Sequence, residues 1–202
     1  MRAHAPMVEK RRVGAEHSET RARLVDAAEQ VIRDEGYAAA STRRVAQAAG
    51  LKPSLVHYYF PTTDDLLLAV FKRGAAQSDA MIEHALASAD PVRALWRFFA
   101  DASRNALAME FMALAIHRER IRIEIARHSE AMRARQTELF ERLLGERLLE
   151  IGAPEGLSVV LAGIGRVLVM ENGLGINAGH AEARSLVETW LDRLVPRTGE
   201  LS

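Results

Sequence analysis

The sequence predicts an all-α protein of about nine helices, in which a small three-helix head precedes a larger helical body. Apolar residues recur at intervals of three and four through most of the chain. Ser, Asp, Gly and Pro stand where such helices would begin or end. Charge also divides the chain, because residues 1–63 hold ten Lys and Arg against seven Asp and Glu, whereas residues 64–202 hold seventeen against twenty.

The composition is that of a globular protein. The 202 residues are 49% hydrophobic and carry no formal net charge, which excludes a disordered chain and a uniformly basic nucleic-acid coat. No cysteine is present, so disulfides and thiolate zinc sites are excluded. The first residues lack the apolar region of a signal peptide, and the run Leu157–Met170, interrupted by Arg166, is too short to span a bilayer. We therefore expect a soluble, cytoplasmic protein.

Residues 1–17 show no apolar periodicity and include Lys10, Arg11 and Arg12. Two interpretations stay open for this segment. It is either an ordinary disordered terminus or a basic arm that lies along phosphates or in a minor groove of DNA.

The first helix is predicted over Arg21–Glu35, with Ser18 as its cap and Gly36 as its end. Its apolar positions fall on one face at helical spacing. They are Leu24, Ala28, Val31 and Ile32. We expect this face to pack against Val45, Ala49, Leu51, Val56 and Phe60, with Tyr37 covering the same core.

Residues 41–60 predict two short helices joined by a tight turn. Ser41 is suited to cap the first, Gly50 to end it, and Pro53 to occupy the first turn of the second. No acidic residue occurs from Gly36 to Thr63, whereas three cations do. On spacing alone the pair is either a helix-turn-helix or simple packing within a helical bundle. The charge favours contact with phosphate.

This segment resembles the DNA-binding domain of the tetracycline-repressor (TetR) family of bacterial transcription regulators. The resemblance is carried by Thr42-Arg43, Val45-Ala46, Ala49-Gly50-Leu51, Tyr59-Phe60 and Asp65-Leu66. It implies a DNA-binding domain over residues 18–63 and a ligand-binding and dimerisation domain over residues 64–202. The positions that it assigns to DNA contact are Thr42, Arg43, Arg44, Lys52, Pro53, Ser54, Leu55, His57, Tyr58 and Thr63.

Four of these positions depart from the pattern common in the family. Lys52 replaces a capping Ser, His57 a frequent Tyr, and Thr63 the usual Lys. Thr63 is still suited to cap the next helix and to offer its backbone N–H to phosphate. Leu55, in place of a frequent Thr, is either buried in the head or placed against a thymine methyl group. We expect His57 to act as a hydrogen-bond donor rather than a proton switch.

The body is predicted to be helical throughout. Its first helix opens at Asp64-Asp65, and Asp90-Pro91 marks a new start. A long charged helix follows over about Arg118–Ile151, whose Arg118–Arg135 stretch we interpret as a solvated face with spaced ion pairs. The break at Gly152-Ala153-Pro154 precedes two final helices near Leu157–Asn177 and Ala181–Leu194.

The two final helices carry more apolar surface than one small chain can cover, which predicts a homodimer through a four-helix bundle, as in the family. The interface is assigned to Val160, Ile164, Val167, Leu186, Trp190 and Leu194. Two heads related by a twofold axis would bind a palindromic DNA operator.

The resemblance also implies a small-molecule effector within the body, hydrophobic or amphipathic in character. Its predicted contacts are Trp96, Phe99, Phe111, Met112, His117, Met170, Glu171 and Asn172. Each of these residue types is also a common core residue. The implied mechanism is a population shift, in which the ligand favours a body conformation that holds the heads at the wrong separation for DNA.

Two alternatives to a DNA-binding regulator are an enzyme and a helical adaptor. An enzyme is not expected, because His117, Glu119, Glu124 and His128 lack the spacing of a helix-borne zinc site and no Gly-rich phosphate loop occurs. A helical adaptor that only dimerises would explain the last helices but not the basic head. We expect a repressor that needs no cofactor or metal.

Overall fold

The computed structural model describes residues 18–145 and 153–194, and all regular structure in that part of the chain is helical. The chain divides into two compact units, Met1–Val70 and Phe71–Ser202. The predicted arm 1–17 lies outside the described residues, as does the predicted end of the long charged helix at 146–151. The functional boundary after residue 63 stays a prediction.

The first unit contains three helices and the beginning of a fourth. They are α1 (Glu19–Glu35), α2 (Thr42–Ala49), α3 (Pro53–Tyr59) and α4 (Thr63–Leu86), which continues into the second unit, and a short 3₁₀ turn spans Tyr37–Ala39. The predicted caps of α1 are confirmed. The Ser18 hydroxyl accepts a hydrogen bond from the backbone N–H of Arg21 at 3.1 Å, and Gly36 ends the helix at φ 80°.

The core of the first unit is built by the predicted face of α1. Its four apolar positions are at most 2% exposed, and Val45, Val56 and Phe60 pack there with them. Ala49, Leu51 and Tyr37 are only half-buried, because they lie at the edge of this core. Helices α2 and α3 therefore both pack against the buried face of α1.

Five further helices lie in the described part of the second unit. They are α5 (Pro91–Phe99), α6 (Ala102–His117), α7 (Glu119–Leu144), α8 (Pro154–Gly173) and α9 (His180–Leu194). The start at Asp90-Pro91 is confirmed, because the Asp90 carboxylate accepts from the backbone N–H of Arg93 at 3.2 Å. The predicted start of α8 at Leu157 was wrong. Pro154 itself opens this helix, since a missing N–H costs nothing in the first turn.

The core of the second unit joins all its described helices except α6 in one apolar cluster. The fully buried members are Ile82, Val92, Leu95, Trp96, Ala100, Leu139, Phe140, Leu144, Leu161, Leu168, Val187 and Leu191. At Gly165 the backbone of α8 lies so close to α5 that an added Cβ would meet the Phe99 carbonyl oxygen at 2.5 Å. A glycine is therefore required at that crossing.

The charged face of α7 is only partly a solvated one. Arg135 reaches α4, where it pairs with Asp79 at 2.7 Å and Glu83 at 3.2 Å. Glu124 pairs with Arg127 of its own helix at 2.6 Å and also lies 3.8 Å from Lys72 of α4. The hydrogen bond from Arg127 and the charge of Lys72 lower the pKa of Glu124. These pairs hold α7 against the part of α4 that lies in the second unit.

Helix α8 extends beyond the apolar run Leu157–Met170 at both ends. Its 20 residues, with a mean hydropathy of 1.2, meet the length and composition of a membrane-spanning helix, so the expectation that this segment is too short was wrong. One such helix is weak evidence of a span, since core helices pass the same test. Leu161 and Leu168 lie in the apolar cluster of the second unit, which is the placement of a core helix.

Candidate nucleic-acid interface

The turn between α2 and α3 is fixed by the conformation of Gly50. Its φ of 65° and ψ of 33° are left-handed, which glycine adopts without strain. The N–H of Gly50 donates to the Gln47 carbonyl at 3.1 Å, and the N–H of Leu51 to that of Ala46 at 2.9 Å. This pattern is a Schellman ending. It turns the chain directly into α3, so the predicted helix-turn-helix is present.

The start of α2 presents its polar residues outward. Ser41 caps the helix by accepting from the N–H of Arg44 at 3.2 Å, as the sequence predicts. Arg43 is exposed and Thr42 is half-buried. The free N–H groups and positive dipole end of this helix favour an anion at that position, beside the Arg43 side chain.

Most of the predicted contact residues of α3 share one exposed face. Ser54, His57 and Tyr58 are spaced by three and four, and all three are exposed, with Tyr58 at 49%. Lys52 and Pro53 are exposed at the start of the helix. Lys52 makes no side-chain capping bond, which agrees with the predicted loss of the Ser cap and leaves its ammonium outward.

The remaining apolar residues of α3 are divided between this face and the core. Leu55 is half-buried, so its position agrees with neither full burial nor full exposure. Tyr59 is half-buried and meets Tyr58 edge-on, with ring centroids 5.1 Å apart at 84°. This contact orients the Tyr58 ring on the exposed side of α3.

The start of α4 differs from the prediction. Thr62, not Thr63, caps the helix: its hydroxyl accepts from the N–H of Asp65 at 3.1 Å. In return the Asp65 carboxylate accepts from the N–H and hydroxyl of Thr62 at 3.0 and 2.7 Å. Such a reciprocal pair is a capping box. Thr63 is then the first helical residue, half-buried, with its DNA contact still a prediction.

Arg44 is engaged within the head, which the sequence does not indicate. Its Nε donates to both carboxylate oxygens of Glu35 at 3.0 and 3.1 Å, and its Nη2 donates to Oε1. The hydrogen bond to Glu35 raises the pKa of Arg44. Glu35 lies just before the acid-free stretch of the sequence, so the pairing brings one negative charge to the basic surface.

Two arginines of α1 also support this surface and were not predicted. Arg23 donates to the Ala49 carbonyl at 3.0 Å, which ties α1 to the last turn of α2. Arg21 lies over the Phe60 ring, 5.0 Å from its centroid, in a cation–π contact. Both contacts hold the helix-turn-helix on α1. Sequence spacing contains no signal for them, because each joins separate elements.

The amino-acid sequence of residues 24–70 matches the family model described as "Bacterial regulatory proteins, tetR family". This segment is therefore a helix-turn-helix domain of the tetR type. The HTH-type transcriptional regulator BetI of Rhizobium meliloti is 40% identical over 60 residues, which are 29% of this chain. The match covers only 30% of BetI, so it does not extend over the whole of either chain.

Solved structures extend the similarity of fold to the body. A TetR transcription regulator from Haloarcula marismortui aligns with a TM-score of 0.66 and 20% identity, over 87% of this chain and 97% of that protein. The fatty acid degradation regulator FadR from Bacillus halodurans aligns with a TM-score of 0.62 and 19% identity, over 78% and 88%. At these identities the alignments establish the fold alone.

The residues predicted for the dimer interface are divided between surface and core. Val160, Val167, Leu186 and Trp190 are between 42% and 52% exposed. Ile164 and Leu194 pack instead against the apolar cluster of the second unit. On α9, Val187 and Leu191 are buried at 1% exposure, although they neighbour the exposed Leu186 and Trp190 in sequence. Periodicity identifies apolar positions but not which side of the helix faces the core.

The residues predicted for effector contact differ in burial and in their contacts. Trp96 belongs to the apolar cluster, with Phe99 packed against it, and Phe111 pairs with Phe71 at 5.6 Å. The Glu171 carboxylate accepts a hydrogen bond from Nε2 of His180 on α9 at 2.8 Å. The other four are on the surface. They are Met112, His117, Met170 and Asn172.

A cleft of about 530 Å³ lies elsewhere in the second unit, between the end of α4 and α5. Its walls combine apolar side chains, such as Met81 and Phe98, with charged ones, such as Asp90 and Arg97. None of the predicted effector contacts is among its lining residues. The predicted effector contacts therefore stay a prediction, separate from this cleft.

Proposed function

We propose that this protein is a tetR-type repressor that acts as a homodimer on a palindromic DNA operator in the cytoplasm. A small hydrophobic or amphipathic molecule bound by the body releases it. The single observation that carries the proposal is the exposed face of α3. Four side chains capable of hydrogen bonding or charge, Lys52, Ser54, His57 and Tyr58, lie together on a helix held by a tight turn.

The chemistry of this face suits a major groove. An α-helix fits that groove, and hydroxyl, imidazole and ammonium groups can donate to base edges and phosphates. Arg43 and the start of α2 supply a neighbouring site for phosphate. The half-buried Leu55 offers its exposed part to a thymine methyl group. We therefore keep the ten predicted positions as the proposed interface, with Arg44 modified by its partner Glu35.

Exposed apolar side chains on the last two helices support association of two copies. Gly156, Val160, Gly163, Val167 and Met170 follow one another on α8 at spacings of four and three. Added Cβ atoms at both glycines would meet nothing within 4 Å, and the other three side chains are 45–47% exposed. Such a seam is typical of helices that pack on a partner. Leu186 and Trp190 of α9 provide a second exposed apolar pair.

Two observations support an effector site in the body. The body has the fold of FadR, a regulator of fatty acid degradation. The cleft between α4 and α5 has the volume of a small-molecule site and a mixed apolar and charged lining. To change operator occupancy from 99:1 to 1:99, an effector must bind the released state more tightly by about 5.5 kcal/mol.

A selection of genomic DNA fragments by the purified protein, followed by footprinting, tests the operator. We expect a protected palindrome whose half-sites are centred about 34–36 Å apart, or a multiple of that distance. Expression of the adjoining gene should rise when the gene that encodes this protein is deleted. Fragments with a single half-site only, or a fall in expression, would contradict the dimeric repressor.

A further inference from the structure

We propose that Glu35 lowers the DNA affinity of the head by holding Arg44 in an internal ion pair. The inference rests on the proposed function and names a residue outside the predicted interface. Glu35 engages Arg44 through Nε at 3.0 and 3.1 Å and through Nη2. Both side chains are more than one third exposed, so the pair lies at the surface, where DNA phosphates would arrive.

The positions of the two residues explain why they pair. Glu35 is the last residue of α1, where the negative end of the helix dipole disfavours a carboxylate. Arg44 is in the first turn of α2, where the positive end disfavours a guanidinium. Each charge is unfavourable for its own helix, and the ion pair offsets both effects. Arg44 therefore gains an intramolecular partner before any DNA is present.

A phosphate that approaches Arg44 must compete with this carboxylate. Arg44 would have to leave Glu35, or the phosphate would have to lie beside a like charge. In either case the attraction between Arg44 and phosphate is largely cancelled. The helix-turn-helix has two other cations, Arg43 and Lys52. Among the described residues, no carboxylate contacts either of them. The net positive charge with which the head attracts DNA is therefore smaller than a count of its Arg and Lys residues indicates.

The test measures binding to a DNA duplex of random sequence, so it needs no operator. We expect Glu35→Gln to bind about two- to fivefold more tightly, the range of an exposed ion pair. The slope of log affinity against log salt should steepen by about 0.9, the value for one further phosphate contact. Arg44→Ala should weaken binding in the native background, because it leaves the Glu35 carboxylate unpaired, and it should remove the whole gain in the Glu35→Gln background.

Glu29→Gln is the matched control for net charge. Glu29 pairs with Arg33 along α1 at 2.8 and 3.1 Å, so its loss also removes one carboxylate from an ion pair. This variant should bind DNA as the native protein does. Glu35→Ala should reproduce Glu35→Gln, and thermal unfolding of every variant should show that the head stays folded.

Three results would overturn the inference. They are unchanged or weaker binding by Glu35→Gln, an equal gain in Glu29→Gln, and a gain that survives Arg44→Ala. A native protein that binds no duplex in a salt-dependent manner would instead remove the proposed function itself. The two failures are therefore distinguishable.

Discussion

Arg93 and Asp192 are 99 positions apart in sequence, yet Nη2 of the arginine lies 2.6 Å from Oδ1 of the aspartate. The Arg93 side chain is 3% exposed, and it also contacts Asp90 at 2.6 Å and Glu188 at 3.6 Å. Burial opposes the charge of Arg93, but the carboxylates of Asp90 and Asp192 raise its pKa. One buried guanidinium therefore joins the start of α5 to α9.

Arg93→Ala should destabilise the protein by about 2–3 kcal/mol, because it removes several charge-assisted hydrogen bonds and buried packing together. The partly exposed carboxylates that remain can be hydrated, which keeps the loss below that of a fully buried unpaired charge. Arg97→Ala, an exposed arginine on the same helix, should cost no more than about 0.5 kcal/mol. Urea unfolding at a fixed protein concentration measures both. Equal losses for the two variants would refute the buried clamp.

Thr62→Ala should destabilise the start of α4 by about 1 kcal/mol, since it removes the hydroxyl that accepts from the N–H of Asp65. Thr63→Ala should have a much smaller effect on stability, because Thr63 is already inside the helix. The free energy of unfolding of the two variants decides the assignment. A larger loss for Thr63→Ala would restore the cap that the sequence indicates.

Features set by neighbouring residues could be predicted from the sequence. Ser18, Ser41, Asp90 and Gly50 were assigned correctly, because a cap or a left-handed turn depends on residue type within one turn of helix. At the start of α4 two threonines are adjacent. The choice between them depends on where the Asp65 side chain turns, and residue type alone does not decide that.

Val160→Glu combined with Val167→Glu should convert a dimer into a monomer, since both side chains are about half exposed on the α8 seam. Two charges in an apolar interface would have to be desolvated on association. Ile123→Glu is the control, as this isoleucine is 58% exposed on a different helix, α7. Analytical ultracentrifugation, with circular dichroism to check helix content, gives the result. A native monomer, or a dimer that survives the double change, would contradict the proposed interface.

Gly165→Ala should destabilise the second unit by about 1–3 kcal/mol, because its Cβ would lie against the backbone of Phe99. Gly156→Ala, on the same helix but facing open space, should be neutral or stabilise the helix by up to about 1 kcal/mol. Thermal unfolding compares the two. If both substitutions are stabilising, α8 does not approach α5 as closely as described.

Contacts between distant residues could not be predicted in this way. Glu35 meets Arg44 across a 3₁₀ turn, and Arg93 meets Asp192 across most of the body. The same limit applies to the residues predicted to contact the effector. Trp96 and Met112 are residue types that often line pockets. Trp96 is 2% exposed in the core, whereas Met112 is 39% exposed on the surface. Only the tertiary packing separates these roles.

A fluorescence-anisotropy titration with DNA from upstream of the chain's own gene, at several salt concentrations, tests the central claim most directly. The native protein should prefer this DNA over random DNA by about a thousandfold and lose affinity as salt rises. Arg43→Ala with Tyr58→Ala should abolish the preference, whereas Arg122→Ala in the body should not. Salt-dependent binding without any preference in the native protein, or a preference that survives the double change, would contradict recognition through α2 and α3.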